Sequence, residues 1–153
     1  MKIRISTLAR AVAVAAVSLA AAACSDVTGG GTTHQPGHYA VLITDETTGQ
    51  AYAQVFADGT VQGSITVAAG AQRHLVFQLL TDTNDPAGVG FGDEIRINVT
   101  NTVVGGFQVN SHNANVVHGT LTGGQQGQTT LRLQYIQAGF TEYTSPAVTI
   151  NVT

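Results

Sequence analysis

Apolar and polar residues alternate with a period of two over most of the chain beyond residue 38. That pattern leaves little choice of fold. Ile95, Ile97 and Val99 are interleaved with Arg96, Asn98 and Thr100. Leu131, Leu133 and Tyr135 are interleaved with Arg132 and Gln134, and Val148, Ile150 and Val152 with Thr149, Asn151 and Thr153. Successive side chains of an extended strand point to opposite faces, so each run predicts a strand with one buried and one wet face. The stretch RHLVFQLL at 73–80 is more apolar and predicts a central strand, with Leu75, Phe77 and Leu79 turned inward. Further strands are predicted at 39–44, 51–56, 62–67, 105–109 and 115–121. Asp58-Gly59 marks a hairpin turn, and Gly70, Gly105-Gly106, Gly119 and Gly123-Gly124 punctuate the rest. No stretch after residue 37 has a helical period. About eight or nine short strands with frequent turns predict an all-β, antiparallel β-sandwich over 38–153.

The first 37 residues follow different rules. Lys2, Arg4 and Arg10 give a positive head, and 11–23 is a continuous run rich in Ala and Val. Thirteen residues is too short to span a bilayer, which needs about 20. It matches the apolar core of an export signal, so 1–23 is predicted to be a signal peptide. The run ends in Leu19-Ala-Ala-Ala-Ala-Cys24, and Cys24 is the only cysteine. Small residues followed by Cys resemble the lipobox of bacterial lipoproteins, although Ala21 stands where that motif has Leu and Leu19 lies two positions early. The resemblance implies that Cys24 becomes the lipid-modified N-terminus and anchors the protein in the membrane. Ala21-Ala22-Ala23 also fits cleavage by ordinary signal peptidase, which would leave a free thiol. Residues 25–37, SDVTGGGTTHQPG, have no apolar period and predict a flexible tether, at most about 45 Å long when extended. The expected organisation is signal at 1–23, lipidated Cys and linker at 24–37, and sandwich at 38–153.

Charge narrows the range of partners. From Cys24 onward the chain has three cations, Arg73, Arg96 and Arg132, no lysine, and nine acidic residues, for a net charge of −6 with His neutral. Such a chain lacks the basic footprint of a nucleic-acid binder. It gains nothing from an anionic membrane surface, so a membrane partner would be engaged through the lipid on Cys24 alone. One cysteine also excludes an internal disulfide, and stability must come from burial.

Three stretches carry a resemblance to a family. SITVAAGAQRHLVF at 64–77 resembles the opening of bacterial Ig-like domains of the invasin and intimin type, where a strand, a Gly turn and an apolar strand follow in that order. GQQGQTTLRL at 124–133 and SPAVTINV at 145–152 resemble their late strands. The match covers 60–153. This chain differs in having one such unit and an added hairpin at 39–56. The resemblance implies an Ig-like sandwich in which 73–80 plays strand B, 95–101 strand C, 129–136 strand F and 147–152 strand G. It also implies that the long loops 81–94 and 137–146 lie at one end.

Those loops hold the candidate site residues. Asp82, Asn84, Asp85, Asp93 and Glu94 can supply the hard oxygen ligands of Ca²⁺, although the full calcium-loop pattern is missing and Asp, Asn, Pro86 and Gly88 also serve as turn formers. Phe140 and Tyr143 can form an aromatic contact for a protein or glycan partner, or fold back over the end of the sandwich. The five histidines, His34, His38, His74, His112 and His118, show no zinc spacing. No G-x-S-x-G elbow or phosphate-binding Gly loop ahead of a helix occurs. The expectation is a non-enzyme: an envelope lipoprotein, exported and anchored at the outer membrane, that presents a binding or adhesion module. The alternative is an assembly subunit that joins through sheet edges, since Thr-rich strands without lysine are open to edge pairing. Mass spectrometry of the mature protein is expected to find an acylated N-terminal Cys24. An unmodified chain beginning at Cys24 would contradict the anchor.

Overall fold

The computed structural model describes residues 38–153; the predicted signal, Cys24, the tether and His34 lie outside the described residues. The alternating runs fold into eleven strands: β1 (Ala40–Asp45), β2 (Ala51–Val55), β3 (Val61–Gly63), β4 (Ile65–Val67), β5 (Gln72–Leu80), β6 (Glu94–Val99), β7 (Gly105–Asn113), β8 (Val116–Gly123), β9 (Gly127–Gln137), β10 (Phe140–Thr144) and β11 (Val148–Val152). One sheet has the order β3-β2-β1-β5-β8-β7. The other is built on β9. Strand β6 pairs with Leu131 to Ile136 of β9, β10 with Gln134 to Gln137, and β11 with Gly127 to Leu131. Because β6 shares residues of β9 with both of the others, β10 and β11 must follow one another along the opposite edge. β4 adds to β11 as the one parallel pair among the described residues.

The two inner faces are the ones that the period marks. Leu75, Phe77 and Leu79 are fully buried, as are Leu131, Leu133 and Tyr135 at 1% exposure, and Val148, Ile150 and Val152 close the second sheet. Residues 38–153 therefore form an all-β sandwich, with β5 in one sheet and β6, β9 and β11 in the other.

Three details differ from the sequence reading. The predicted strand 62–67 is two strands in different sheets. The break is at Gly63, whose φ of +82° is left-handed and whose missing Cβ would run into the carbonyl oxygen of Tyr52. The strand expected at 105–109 continues to Asn113 across a bulge between Val109 and Ser111. The expected loop at 137–146 is largely β10, turned at Ala138-Gly139, both at positive φ. Ser145-Pro146 separates β10 from β11. There the Ser145 backbone N–H donates to the Leu133 carbonyl and its Oγ accepts the Leu133 N–H at 2.9 Å, so the ladder survives a residue pair that cannot continue it.

Gly119 sits where two strands and an aromatic ring converge. The Phe107 ring lies across it and meets Phe77 edge-on at 5.2 Å, and a Cβ on Gly119 would strike that ring and come within 2.7 Å of the Gln108 carbonyl oxygen. Gly119→Val should therefore destabilise the domain by about 1–3 kcal/mol. The effect should appear as a lower urea midpoint with an unchanged slope; an unchanged midpoint would contradict the packing of Phe107.

Candidate functional site

One end of the sandwich gathers the turn β2–β3, the segment between β5 and β6, the turn β7–β8 and the turn β9–β10. The registers show this directly: Ala40 faces Leu80, Glu94 faces Ile136, Gln137 faces Phe140, and the Leu79 N–H donates to the Asn115 carbonyl. The described chain also begins here, at His38 and Tyr39. Loops 81–94 and 137–146 thus do lie at one end, although the second is mainly a hairpin.

The segment after β5 is built in two parts. Thr81 to Asp85 is a closed turn: the Thr81 N–H donates to the Asp85 carbonyl, Thr83 Oγ1 donates to Asp85 Oδ2 at 2.8 Å, and Asn84 takes the left-handed conformation at φ 64°. Ala87 is then drawn into the core, its N–H donating to the Leu79 carbonyl. Residues 88–92 loop out again, except that Val89 is half-buried against the core. Asp93 closes this loop, since its Oδ2 accepts the Gly90 N–H at 2.7 Å and the Tyr135 hydroxyl at 2.8 Å. Between those two bonds Phe91 stands in solvent with its whole side chain exposed, at 110% of the reference value.

The sequence-predicted calcium ligands are not brought together. Asp85 is held by Thr83, Asp93 by Gly90 and Tyr135, and Glu94 by a two-pronged pair with Arg96 at 2.7 Å through both oxygens. Asp82 and Asn84 are exposed on the closed turn. Among the described residues no three His, Cys, Asp or Glu side chains are grouped as a metal would need.

The aromatic pair divides between its two readings. Phe140 is 74% exposed at the β9–β10 turn, as a contact residue should be. Tyr143 is not beside it. The register shift between Thr141 and Tyr143 changes the alternation, and Tyr143 turns inward to pack against Tyr39 at 5.5 Å, which in turn meets Tyr135 edge-on at 5.4 Å. These three rings plug the end of the core. Burial pushes the Tyr143 phenol up to about 12, and its hydroxyl has no hydrogen-bond partner. Burial also raises Tyr135, helped by its bond to the Asp93 carboxylate, and burial with the nearby Glu142 raises Tyr39.

Phe91 takes the place in the exposed pair that the sequence reading gave to Tyr143. Its only sequence signal is a large aromatic between Gly90 and Gly92, in a stretch with no period that could carry it to the core. Six carboxylates belong to this same end: Asp58, Asp82, Asp85, Asp93, Glu94 and Glu142.

The opposite end is a structural knot. Asp45 accepts the N–H groups of Thr47 and Thr48 at 2.9 Å and the Tyr52 hydroxyl at 2.8 Å, and these bonds hold its carboxyl at about 2. Arg73 donates to the Tyr52 hydroxyl and the Thr66 carbonyl and stacks over the Tyr52 ring at 5.2 Å. His118 pairs with Glu46 at 2.8 Å, and His74 meets Thr120 on the same outer face. A shallow depression lies between β2 and β3, lined by Tyr52, Gln54 and Gln62 among others.

No protein-family model matches the chain, and no curated protein does. Solved structures similar to it include domains 4 and 5 of the S-layer protein SbsC, at 16% identity and a TM-score of 0.46 over 60% of this chain and 48% of that one. Domains 4–9 of the surface layer protein SbsC align at 15% identity and a TM-score of 0.48, over 60% of this chain and 13% of that one. The S-layer protein rSbsC(31-844) aligns at 12% identity and a TM-score of 0.47, over 77% of this chain and 20% of that one. The chain thus spans less than half the length of each.

The tyrosine plug makes alkaline stability a test of the site. A phenol raised in the folded state favours folding below the unfolded value near 10 and loses that contribution as pH climbs through the folded value. Thermal stability should therefore decline above pH 10, with Tyr143 ionising near pH 12 by ultraviolet titration. Tyr143→Phe should flatten that decline; an unchanged slope, or a Tyr143 that ionises at 10, would contradict the buried cluster.

Proposed function

We propose that this is a non-catalytic binding module of the bacterial cell envelope, held at the outer membrane by lipid on Cys24, and that it engages a protein or glycan partner through the end bearing Phe91 and Phe140. The observation that carries the reading is the exposure of these two rings on neighbouring turns of one end. Phe140 faces Gln137 on one edge of β9, and Glu94, three residues after Phe91, faces Ile136 on the other. Neighbouring strands lie about 4.8 Å apart, so one partner can cover both turns. Exposed single apolar residues are ordinary, but two phenylalanines on anchored turns give rigid apolar area at low entropic cost. Asp93 ties the Phe91 loop to Tyr135, and the β9–β10 hairpin holds Phe140, so little ordering remains to be done on binding. The surrounding carboxylates favour a partner that offers basic groups beside an apolar one, and predict an association that weakens with salt.

The chain enters the domain at this same end. With an anchor at Cys24, a tether of at most about 45 Å keeps the domain within reach of its own membrane. That favours a partner in the same envelope over the surface of another cell, and so binding over long-range adhesion.

The test is the double variant Phe91→Ser, Phe140→Ser. It should keep the wild-type Tm and lose the partner captured from envelope extract by at least about tenfold, since two central aromatics typically contribute more than 1.4 kcal/mol together. Capture that survives in a folded double variant would overturn the proposed surface.

A further inference from the structure

The six-stranded sheet has two unlike edges. β3 is three residues long, whereas β7 runs for nine and its residues 108–113 are all exposed. Its free side can be assigned. The Gly123 N–H donates to the Ala71 carbonyl, which turns Gly123, and with it the odd-numbered residues of β8, toward β5. The even-numbered residues of β8 therefore hold β7, through Thr122 to Gly106, Thr120 to Gln108, and His118 to Ser111 beyond the bulge. By alternation the backbone groups of Phe107 and Val109 point away from the sheet, and no backbone partner reaches them among the described residues.

Edges are commonly blunted by shortness, charge or proline. β4 is three residues long, β6 carries Glu94 and Arg96, and β10 carries Glu142. β7, GGFQVNSHN, has no Asp, Glu, Lys, Arg or Pro, and Val109 is 46% exposed on it. Charge also selects the occupant. A foreign edge can carry a charge complementary to one on β7, so pairing with it does not require a neutral strand. A two-fold self-pairing, however, sets a strand against its own sequence, where any fixed charge near the axis meets its like. β7 is the long edge that meets this requirement.

We infer that β7 pairs antiparallel with β7 of a second copy, with the two-fold axis at Gln108. Phe107 of one copy then faces Val109 of the other, and each such pair exchanges both backbone bonds, for roughly four in all. Gln108 faces the partner's Gln108 as the close, non-bonded pair, with Cα atoms about 4.5 Å apart. The bulge after Val109 confines the pairing to this half of the strand. The two six-stranded sheets become one continuous sheet. This surface lies apart from the Phe91 and Phe140 end, and the pairing stands whether or not that end binds a partner.

The test uses protein purified after expression of the full chain, with its mass measured by sedimentation. Wild type should be a dimer. Gln108→Lys and Gln108→Glu, which change an exposed side chain on the outer face, should each be monomeric at the same concentration with an unchanged Tm. An equimolar mixture of the two variants should return the dimer, because Lys then meets Glu across the axis. A monomeric wild type, a single variant that stays dimeric, or a mixture that stays monomeric would each overturn the pairing; a control variant, Gln128→Lys on the outer face of β9, should leave the dimer intact.

Discussion

The bond between the Tyr135 hydroxyl and Asp93 joins the two halves of this molecule's design. The Tyr135 ring is fully buried in the core, at 1% exposure, while its hydroxyl reaches the surface loop and accepts no compromise in register. It sits on β9, the strand to which β6, β10 and β11 all pair. Anything that shifts β9 by one residue would turn Leu131, Leu133 and Tyr135 outward together. The strand that organises the second sheet therefore also fixes the loop that carries Phe91. Core packing and presentation of the exposed end are one problem with one solution.

The outer faces explain why recognition falls on ends and edges. Across the second sheet Asn98 bonds Gln134 at 2.9 Å, Thr100 bonds Thr130 at 2.8 Å, and Gln128 bonds Asn151 at 3.0 Å. These neutral ladders satisfy their own polar groups, cost little in charge and stabilise strand pairing by a few tenths of a kcal/mol to about 1 each. A face satisfied in this way offers little to a partner. Among the described residues, two features stand open to a partner: the exposed phenylalanines at one end and the backbone of one long neutral edge.

The inward residues were legible because a period of two has only one reading when one side is apolar. Leu75, Phe77, Leu79, Val148, Ile150 and Val152 all lie where that period puts them. It fails where the backbone changes parity. The shift at Thr141–Tyr143 sends Tyr143 inward, the left-handed Gly63 splits one expected strand between two sheets, and the bulge near Asn110 hides the true length of β7. Each is a one-residue event that leaves no mark on composition. The site was less legible still. Loop residues have no period, so Phe91 could be noticed only as an aromatic between glycines, and the contact of Asp93 with Tyr135 spans 42 residues. The acidic residues looked like a ligand set in one dimension; in three, each of Asp85, Asp93 and Glu94 has a protein partner of its own.

The most direct measurement is an amide hydrogen-exchange map of the protein with and without envelope extract. New protection confined to residues 88–93 and 137–141, with the core strands unchanged, is the predicted result. Protection appearing instead at the Asp45–Arg73 end, or no change while the partner is demonstrably bound, would contradict the account.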